Sequence, residues 1–469
     1  MRRLVILAMA IAILVPVKLP RAASDDPRLD EVERIANREL KTLGIPGAAI
    51  AFVADGRVAW ARGFGVASAE TNTQVTPDML FRVGSMTKMV TALAVLVETK
   101  ARRIPVDAAV GDYVQGLAPR IGRVTIAQLL SHTAGFKDVV VAAPLEEDSN
   151  EDDLLREVRS WKDDAMFFTE PGDVMSYSNL GFVLAGAFLE AITGHHYADV
   201  VGERVLRPVG MAHATFRPAM AVTHPFAQGH VGARGEAPVV VRPIKTDTRH
   251  WPAGFLWASA NDYARLAIAL MNRGAIDGRT VLDPDVVAAI EQPHVEMPGD
   301  AKVSYGFGLV VRGNEPTREL SHNGRMDGYG ADLWMLPGAN RAFVVMRNRL
   351  DTAPRQTMGA LLKILSPSRV PLATPDATPA GLRLDELAGR YVNGQRTIVI
   401  AASDAGLTMI DDGYDGRPQR GTLKPVAANH LQFTRTDRET TGSVPVFVVR
   451  DRSGRVKYIA TGERALRQQ

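Results

Sequence analysis

The chain of 469 residues contains no cysteine. That absence excludes disulfides, thiol nucleophiles, zinc–thiolate sites and a lipidated cysteine together, and it makes an oxidising compartment harmless. An excess of charge is missing too. The formal net charge is +3, and four basic residues with no acidic one, Arg2, Arg3, Lys18 and Arg21, lie in the first 23 positions. With those four set aside the balance moves from +3 to −1, so nothing calls for a nucleic-acid partner. The apolar run from Leu4 to Val17 falls short of the ~18 residues of a spanning helix. Internal repeats are absent, as are low-complexity tracts outside one proline-rich stretch.

What is present is an ordinary globular composition, 46% hydrophobic and 23% charged, long enough for a large core and a second domain. Residues 1–23, from "MRRLVILAMAIAILVPVKLPRAASDD", have the basic start, apolar run and small residues of a secretory signal. Export to a periplasmic or extracellular space is expected. "PRAAS" is a poor small-x-small cleavage site, so an uncleaved segment anchoring the chain to a membrane is the other reading.

"DEVERIANRELKTLG" has helical apolar spacing, and "GAAIAFVADGRVAWARGFG" reads as two strands joined at Asp55-Gly56. "MTKMVTALAVLVETK" is apolar on nearly every face, as in a helix buried mid-domain. A helix-rich middle runs to about Ile290; then "YGFGLVVRG", "TRELSHNG", "YGADLWMLPG" and "RAFVVMRN" follow as short runs with glycine breaks, the pattern of an antiparallel sheet. The first domain is placed at 25–366. Residues 367–381, within "SPSRVPLATPDATPAGLR", read as an extended linker. From 382 to 469 alternating runs broken at Gly, Asp and Asn predict a small β domain, with barrel closure one way to protect its edges.

Three stretches carry candidate chemistry. In "FRVGSMTKMV", residues 81–90, Ser85 and Lys88 are three apart at a helix start and share a face. A serine there is more often a cap, and the spacing alone is weak; the chemical reading needs Lys88 buried, its pKa lowered so that it can serve as base. The helix N-terminus would supply positive potential for an oxyanion. In "PGDVMSYSNLGFVLAG", Tyr177 and Asn179 offer proton transfer and an amide to hold a carbonyl; the plainer reading is a turn and a cap. In "ELSHNGRMDGYGADLWMLPG", His322 and Gly324 fall at the end of a predicted strand, the glycine letting a ligand approach the backbone; the plainer reading is a hairpin bend.

In this order, with "TIAQLLSHTAGF", "LRPVGM" and "GFLWASANDYARL" between and after them, the motifs resemble the serine β-lactamase and penicillin-binding-protein superfamily, most closely its class C branch, over about Leu29 to Leu365. The resemblance implies an α/β (α+β) fold: an antiparallel sheet with flanking helices and a helical subdomain, followed by a small all-β, lipocalin-like domain opening at "LAGRY". It implies that Ser85 attacks a carbonyl, that Lys88 and Tyr177 move its proton, that Asn179 holds the substrate amide, and that the backbone N–H groups of Ser85 and Arg325 form the oxyanion hole. His322 and Gly324 would line the substrate. Where β-lactamases carry Lys-Thr-Gly, this chain has His322-Asn323-Gly324, the form of related esterases and D-amino-acid peptidases. Neutral imidazole predominates near pH 7, so the permanent cation that would grip a carboxylate is missing there.

His132 in "LLSHTAGF" is expected to organise the loop under the site rather than act as base. "GHH" at 194–196 reads as a solvated loop rather than a metal site, and "EEDSNEDD" near Glu146 as an acidic loop beside the cleft. The expectation is an exported, cofactor-free serine hydrolase acting on a small-molecule ester, D-amino-acid peptide or β-lactam. Its rivals are a β-lactamase, a D-Ala-D-Ala carboxypeptidase or D-aminopeptidase, and a catalytically silent cell-wall-binding or scaffold protein.

Overall fold

Helix α1 (Pro27–Leu43) begins where the Asp26 carboxylate accepts from the Arg28 N–H and ends at Gly44, whose φ is +63°. These are an N-cap and a left-handed C-cap. In this computed structural model the described residues are 26–137, 150–232, 235–298, 302–350, 352–367, 383–404, 406–413, 418–427, 429–436 and 443–469. The leader, nearly all of the linker and the first half of the acidic stretch near Glu146 lie outside them.

Strands β1 (Gly47–Ala54) and β2 (Arg57–Gly65) turn at Asp55 and Gly56, both at positive φ, as a two-residue hairpin requires. They join β3 (Val295–Glu296), β4 (Val303–Tyr305), β5 (Val310–Arg312), β6 (Glu319–Met326), β7 (Tyr329–Leu336) and β8 (Arg341–Arg347) in one sheet of order β2-β1-β8-β7-β6-β5-β4-β3. Every pairing in it is antiparallel.

Period two sorts β1 onto both faces. Ala48, Ile50 and Phe52 share a core with Leu29 and Val32 of α1 and with the C-terminal helix of this domain, which covers Arg355–Leu365. Ala49, Ala51 and Val53 belong instead to the larger core that includes α2 (Thr87–Arg102), α3 (Asn179–Thr193) and α4 (Ala260–Met271). In α2 every residue from Thr87 to Leu96 is buried, and among the described residues no helix is long and apolar enough to cross a membrane.

The C-terminal part is a closed eight-stranded barrel. Its strands are β9 (Gly389–Asn393), β10 (Arg396–Ser403), β11 (Gly406–Asp411), β12 (Gln419–Ala427), β13 (His430–Arg435), β14 (Ser443–Arg450), β15 (Val456–Thr461) and β16 (Arg464–Gln468). Closure pairs Tyr391 with Gln468 and Val392 with Arg467, which removes the exposed edges of an open sheet. Its interior is a core of side chains, among them Ile398, Met409, Phe433, Val446 and Leu466.

The barrel docks on the segment leading into α3. The Ser176 hydroxyl accepts from the Ala465 N–H at 3.2 Å and the Asn393 amide at 3.3 Å, and the Asp173 carboxylate accepts from Lys457 at 2.6 Å and Tyr458 at 2.9 Å.

Candidate active site

Ser85 lies in the single 3₁₀ turn Gly84–Met86 that precedes α2, and the residue capping α2 is Met86, without a side-chain cap. The serine is therefore not a cap. Its hydroxyl stands 3.3 Å from Lys88 Nζ, one turn on, as the spacing predicts. Lys88 Nζ has two further neighbours, the Ala253 carbonyl at 2.6 Å and Asn179 Oδ1 at 2.7 Å. Both can only accept. A neutral amine has two N–H bonds and one lone pair, so once these two oxygens take the N–H bonds the lone pair is left for the Ser85 hydroxyl to donate into.

Burial shifts the amine toward that protonation state. Lys88 is fully buried, and loss of hydration holds its amine well below the ordinary lysine value; the Arg464 charge pushes the same way and the Glu463 carboxylate opposes it. Residue type alone would leave the amine charged at neutral pH. The packing of α2 changes that.

Tyr177 and Asn179 enter from the start of α3, with the Tyr177 ring centroid 4.8 Å from Lys88 Nζ. His132 underlies this segment. Its Nδ1 accepts from the Ser178 N–H at 3.1 Å, and its ring centroid lies 4.2 Å from that of Tyr177. Burial first, then the charges of Lys88, His322 and Arg464, hold the His132 imidazole well below its ordinary value, so it is a neutral acceptor that orients the loop. This matches the role expected from the sequence.

Two glycines bring the last backbone groups together. A Cβ on Gly324 would fall 1.8 Å from the Val83 carbonyl oxygen and 3.1 Å from Ser85 N, and one on Gly84, whose φ is +54°, would fall 2.5 Å from Arg325 N. Only glycine permits this approach, which sets the Ser85 and Arg325 N–H groups on facing segments, the arrangement an oxyanion hole needs. His322 and Gly324 sit inside β6, which runs on to Met326, rather than at its end.

His322 is one layer back from the cleft. It is 6% exposed, Tyr305 Oη lies 3.0 Å from its Nε2, and the Asn323 carbonyl lies 2.6 Å from its Nδ1. Burial and the nearby Lys88 pull its pKa down to about 3, so it is uncharged at any ordinary working pH. The Tyr305 hydroxyl and the neighbouring Asn323 carbonyl occupy both ring nitrogens, and the ring centroid lies 6.4 Å from that of Tyr177.

A cavity of about 230 Å³ opens beside Ser85, lined by Asn179, Phe255, Arg325, Met326 and Lys245 among others. Sequence reasoning gave Arg325 only a backbone role and missed Lys245, Phe255 and the Ala253 carbonyl; none belongs to a motif whose spacing carries chemistry. It also missed Glu463 and Arg464, which reach Tyr177 from the barrel.

The beta-lactamase family model matches residues 32–365, and the chain belongs to that family. It falls in the serine β-lactamase and penicillin-binding-protein superfamily. Similar proteins include the unguisins hydrolase ungD' of Aspergillus campestris (strain IBT 28561), 29% identical over 346 residues, a match covering 69% of this chain and 62% of that one. The chain thus spans less than two thirds of that relative. Penicillin-binding protein 4 of Amycolatopsis lactamdurans is 27% identical over 362 residues, covering 74% of this chain and 93% of that one. Among solved structures, SurE superposes with TM-score 0.75 at 25% identity over 95% of this chain and 100% of that one. The octameric penicillin-binding protein homologue from Pyrococcus abyssi shares the fold, with TM-score 0.66 at 19% identity over 93% of this chain and 99% of that one.

Proposed function

We propose that this protein is an exported hydrolase that cleaves a carboxylic ester or amide through an acyl-enzyme on Ser85. The observation that carries the reading is the arrangement at Lys88 Nζ, where two pure acceptors take the N–H bonds and Ser85 meets the lone pair. In the first step the Ser85 oxygen bonds to the substrate carbonyl carbon and its proton passes to Lys88, with Tyr177 sharing it. The oxyanion is held by the Ser85 and Arg325 N–H groups, while the Asn179 amide N–H, free of the bond its oxygen makes to Lys88, donates to the substrate carbonyl or amide. The proton then goes to the departing alcohol or amine as its bond to carbon breaks. Water repeats the sequence on the acyl-enzyme and releases the acid. Export rests on the layout of residues 1–23; the N-terminal sequence of the mature protein from a cell fractionation tests it.

A second reading is hydrolysis of a carboxylate-bearing amide, either a β-lactam or a peptide of D-amino acids. Arg325 and Lys245 on the cavity wall favour it, Lys245 being paired with Asp327 at 3.2 Å. SurE has also been crystallised with D-Leu. A panel of p-nitrophenyl esters, D-amino-acid amides and a chromogenic cephalosporin separates the two. A fluorophosphonate probe should add its mass to wild type and not to Ser85→Ala, whose fold should survive because the serine caps nothing. Equal labelling of Ser85→Ala, or labelling of another serine, would overturn the assignment.

A further inference from the structure

The turn between the last two barrel strands points into the catalytic centre. It is a two-residue hairpin in which Thr461 pairs with Arg464, with Gly462 at φ +58° in its first central position, where a tight hairpin of this kind needs glycine. The Tyr177 N–H donates to the Glu463 carbonyl at 2.8 Å, and the Arg464 guanidinium carbon lies 5.0 Å from the centroid of the Tyr177 ring. Just before it, Ser176 is held by Ala465 and Asn393 of the barrel, while Asn179, two residues on, is held by Lys88. Two successive residues of this segment, Ser176 and Tyr177, are thus anchored by the barrel, through Asn393, Glu463, Arg464 and Ala465.

We propose that this turn is a working part of the catalytic centre, with Arg464 a positioning residue that fixes the Tyr177 ring and stands as a permanent cation beside Lys88. The inference rests on the functional reading above. A guanidinium keeps its charge at every working pH, so Arg464 sets a constant field on an amine that must be neutral to act. Lys88 feels Arg464 and Glu463 from the turn, and it is coupled to His132 and to His322 of β6. Tyr177 and Asn179 complete its surroundings. His132 and His322 are held neutral by burial, and burial raises the Glu463 carboxyl as well, which leaves Arg464 as the group facing it from the turn whose charge does not change with pH. The cation favours neutral Lys88 and the carboxylate opposes it.

The sign of the effect follows. Activity should fall as pH drops through the lowered Lys88 pKa, and removal of Arg464 raises that pKa, so the acid limb should move to higher pH. The test is the pH dependence of fluorophosphonate labelling at Ser85 in the full-length protein for wild type, Arg464→Gln and Arg464→Lys. For Arg464→Gln a limb displaced upward by about half a unit to one unit is expected, a loss of about three- to tenfold at pH values on that limb. Arg464→Lys retains the charge and should keep the wild-type limb. Arg464→Met, which preserves the stem over the ring, carries the same test if Arg464→Gln does not fold. An unmoved limb in the charge-removing variants overturns the proposal, whether or not the plateau drops. So does an Arg464→Lys limb displaced as far as theirs, or failure of both neutral variants to fold. Wild type that is not labelled at Ser85 would strike the functional reading itself, whereas normal labelling with an unmoved limb strikes this inference alone.

Discussion

Two basic side chains approach the Tyr177 ring from regions far apart in the chain, and they are held by different means. Lys88 comes from a helix buried over its first ten residues, with its nitrogen 4.8 Å from the ring centroid and fixed by two carbonyl-type oxygens. Arg464 comes from a hairpin turn on a barrel with its own core, at 5.0 Å. Desolvation makes the lysine a base; the arginine cannot become one. A reactive amine thus needs the interior of the first domain, whereas a constant charge can be delivered by a turn docked onto it.

The largest effect should come from erasing that distinction. Lys88→Arg places a group that keeps its proton where the base must be neutral, and turnover should fall by about 10³-fold or more. Steady-state ester hydrolysis measures it, and turnover near wild type would remove Lys88 from general-base catalysis. Tyr177→Phe keeps the ring between Lys88 and Arg464 and deletes the hydroxyl, so the barrel contacts of its ring and backbone survive while proton sharing is lost. A drop of about 10²-fold in kcat is expected, with thermal stability close to wild type. A collapse of stability would mean that the hydroxyl serves docking instead.

The two basic residues also differ in how far the sequence reveals them. Ser85 and Lys88 were legible because a helix fixes the three-residue spacing onto one face and the apolar run announces burial. Tyr177 and Asn179 were legible from their motif, and the barrel from alternation and turn residues. Arg464 was not, because nothing local in "YIATGERALRQQ" separates a turn that meets water from one that meets Tyr177; docking of one domain on another decides it. His322 was read as lining the substrate because its strand position was visible while the layer formed by Tyr305 and His132 was not.

That layer bears on substrate choice. With His322 neutral and withdrawn, its position on the strand offers no cation to a substrate carboxylate, and a charged hydrogen bond of that kind is worth about 1.5–3 kcal/mol. Small uncharged esters lose nothing by its absence. Their kcat/KM is therefore expected to exceed that of a cephalosporin by about ten- to a hundredfold. Cephalosporin turnover that matches the esters, and that collapses in Arg325→Ala, would instead put the carboxylate on Arg325 and favour the second reading.

The smallest effect belongs to the rim where the barrel meets the first domain. Burial there raises the Asp173 pKa, but hydrogen bonds from Lys457, Tyr458 and Thr169 outweigh it and hold the carboxyl below its ordinary value. A carboxylate whose folded pKa is depressed contributes stability above its unfolded pKa, about 3.9, and that contribution is lost as pH falls through the lower folded value. Asp173 and Lys457 are each one-third exposed, so solvent screens the pair and its worth is about 0.2–1 kcal/mol. Asp173→Asn should lower the melting temperature slightly at neutral pH and leave it unchanged in acid below the folded pKa, where wild type has lost the same contribution. Thermal melts of both proteins across that range measure it. A difference that persists undiminished in acid would mean that the side chain holds the barrel by shape and neutral hydrogen bonds, and that the charge on this rim contributes nothing.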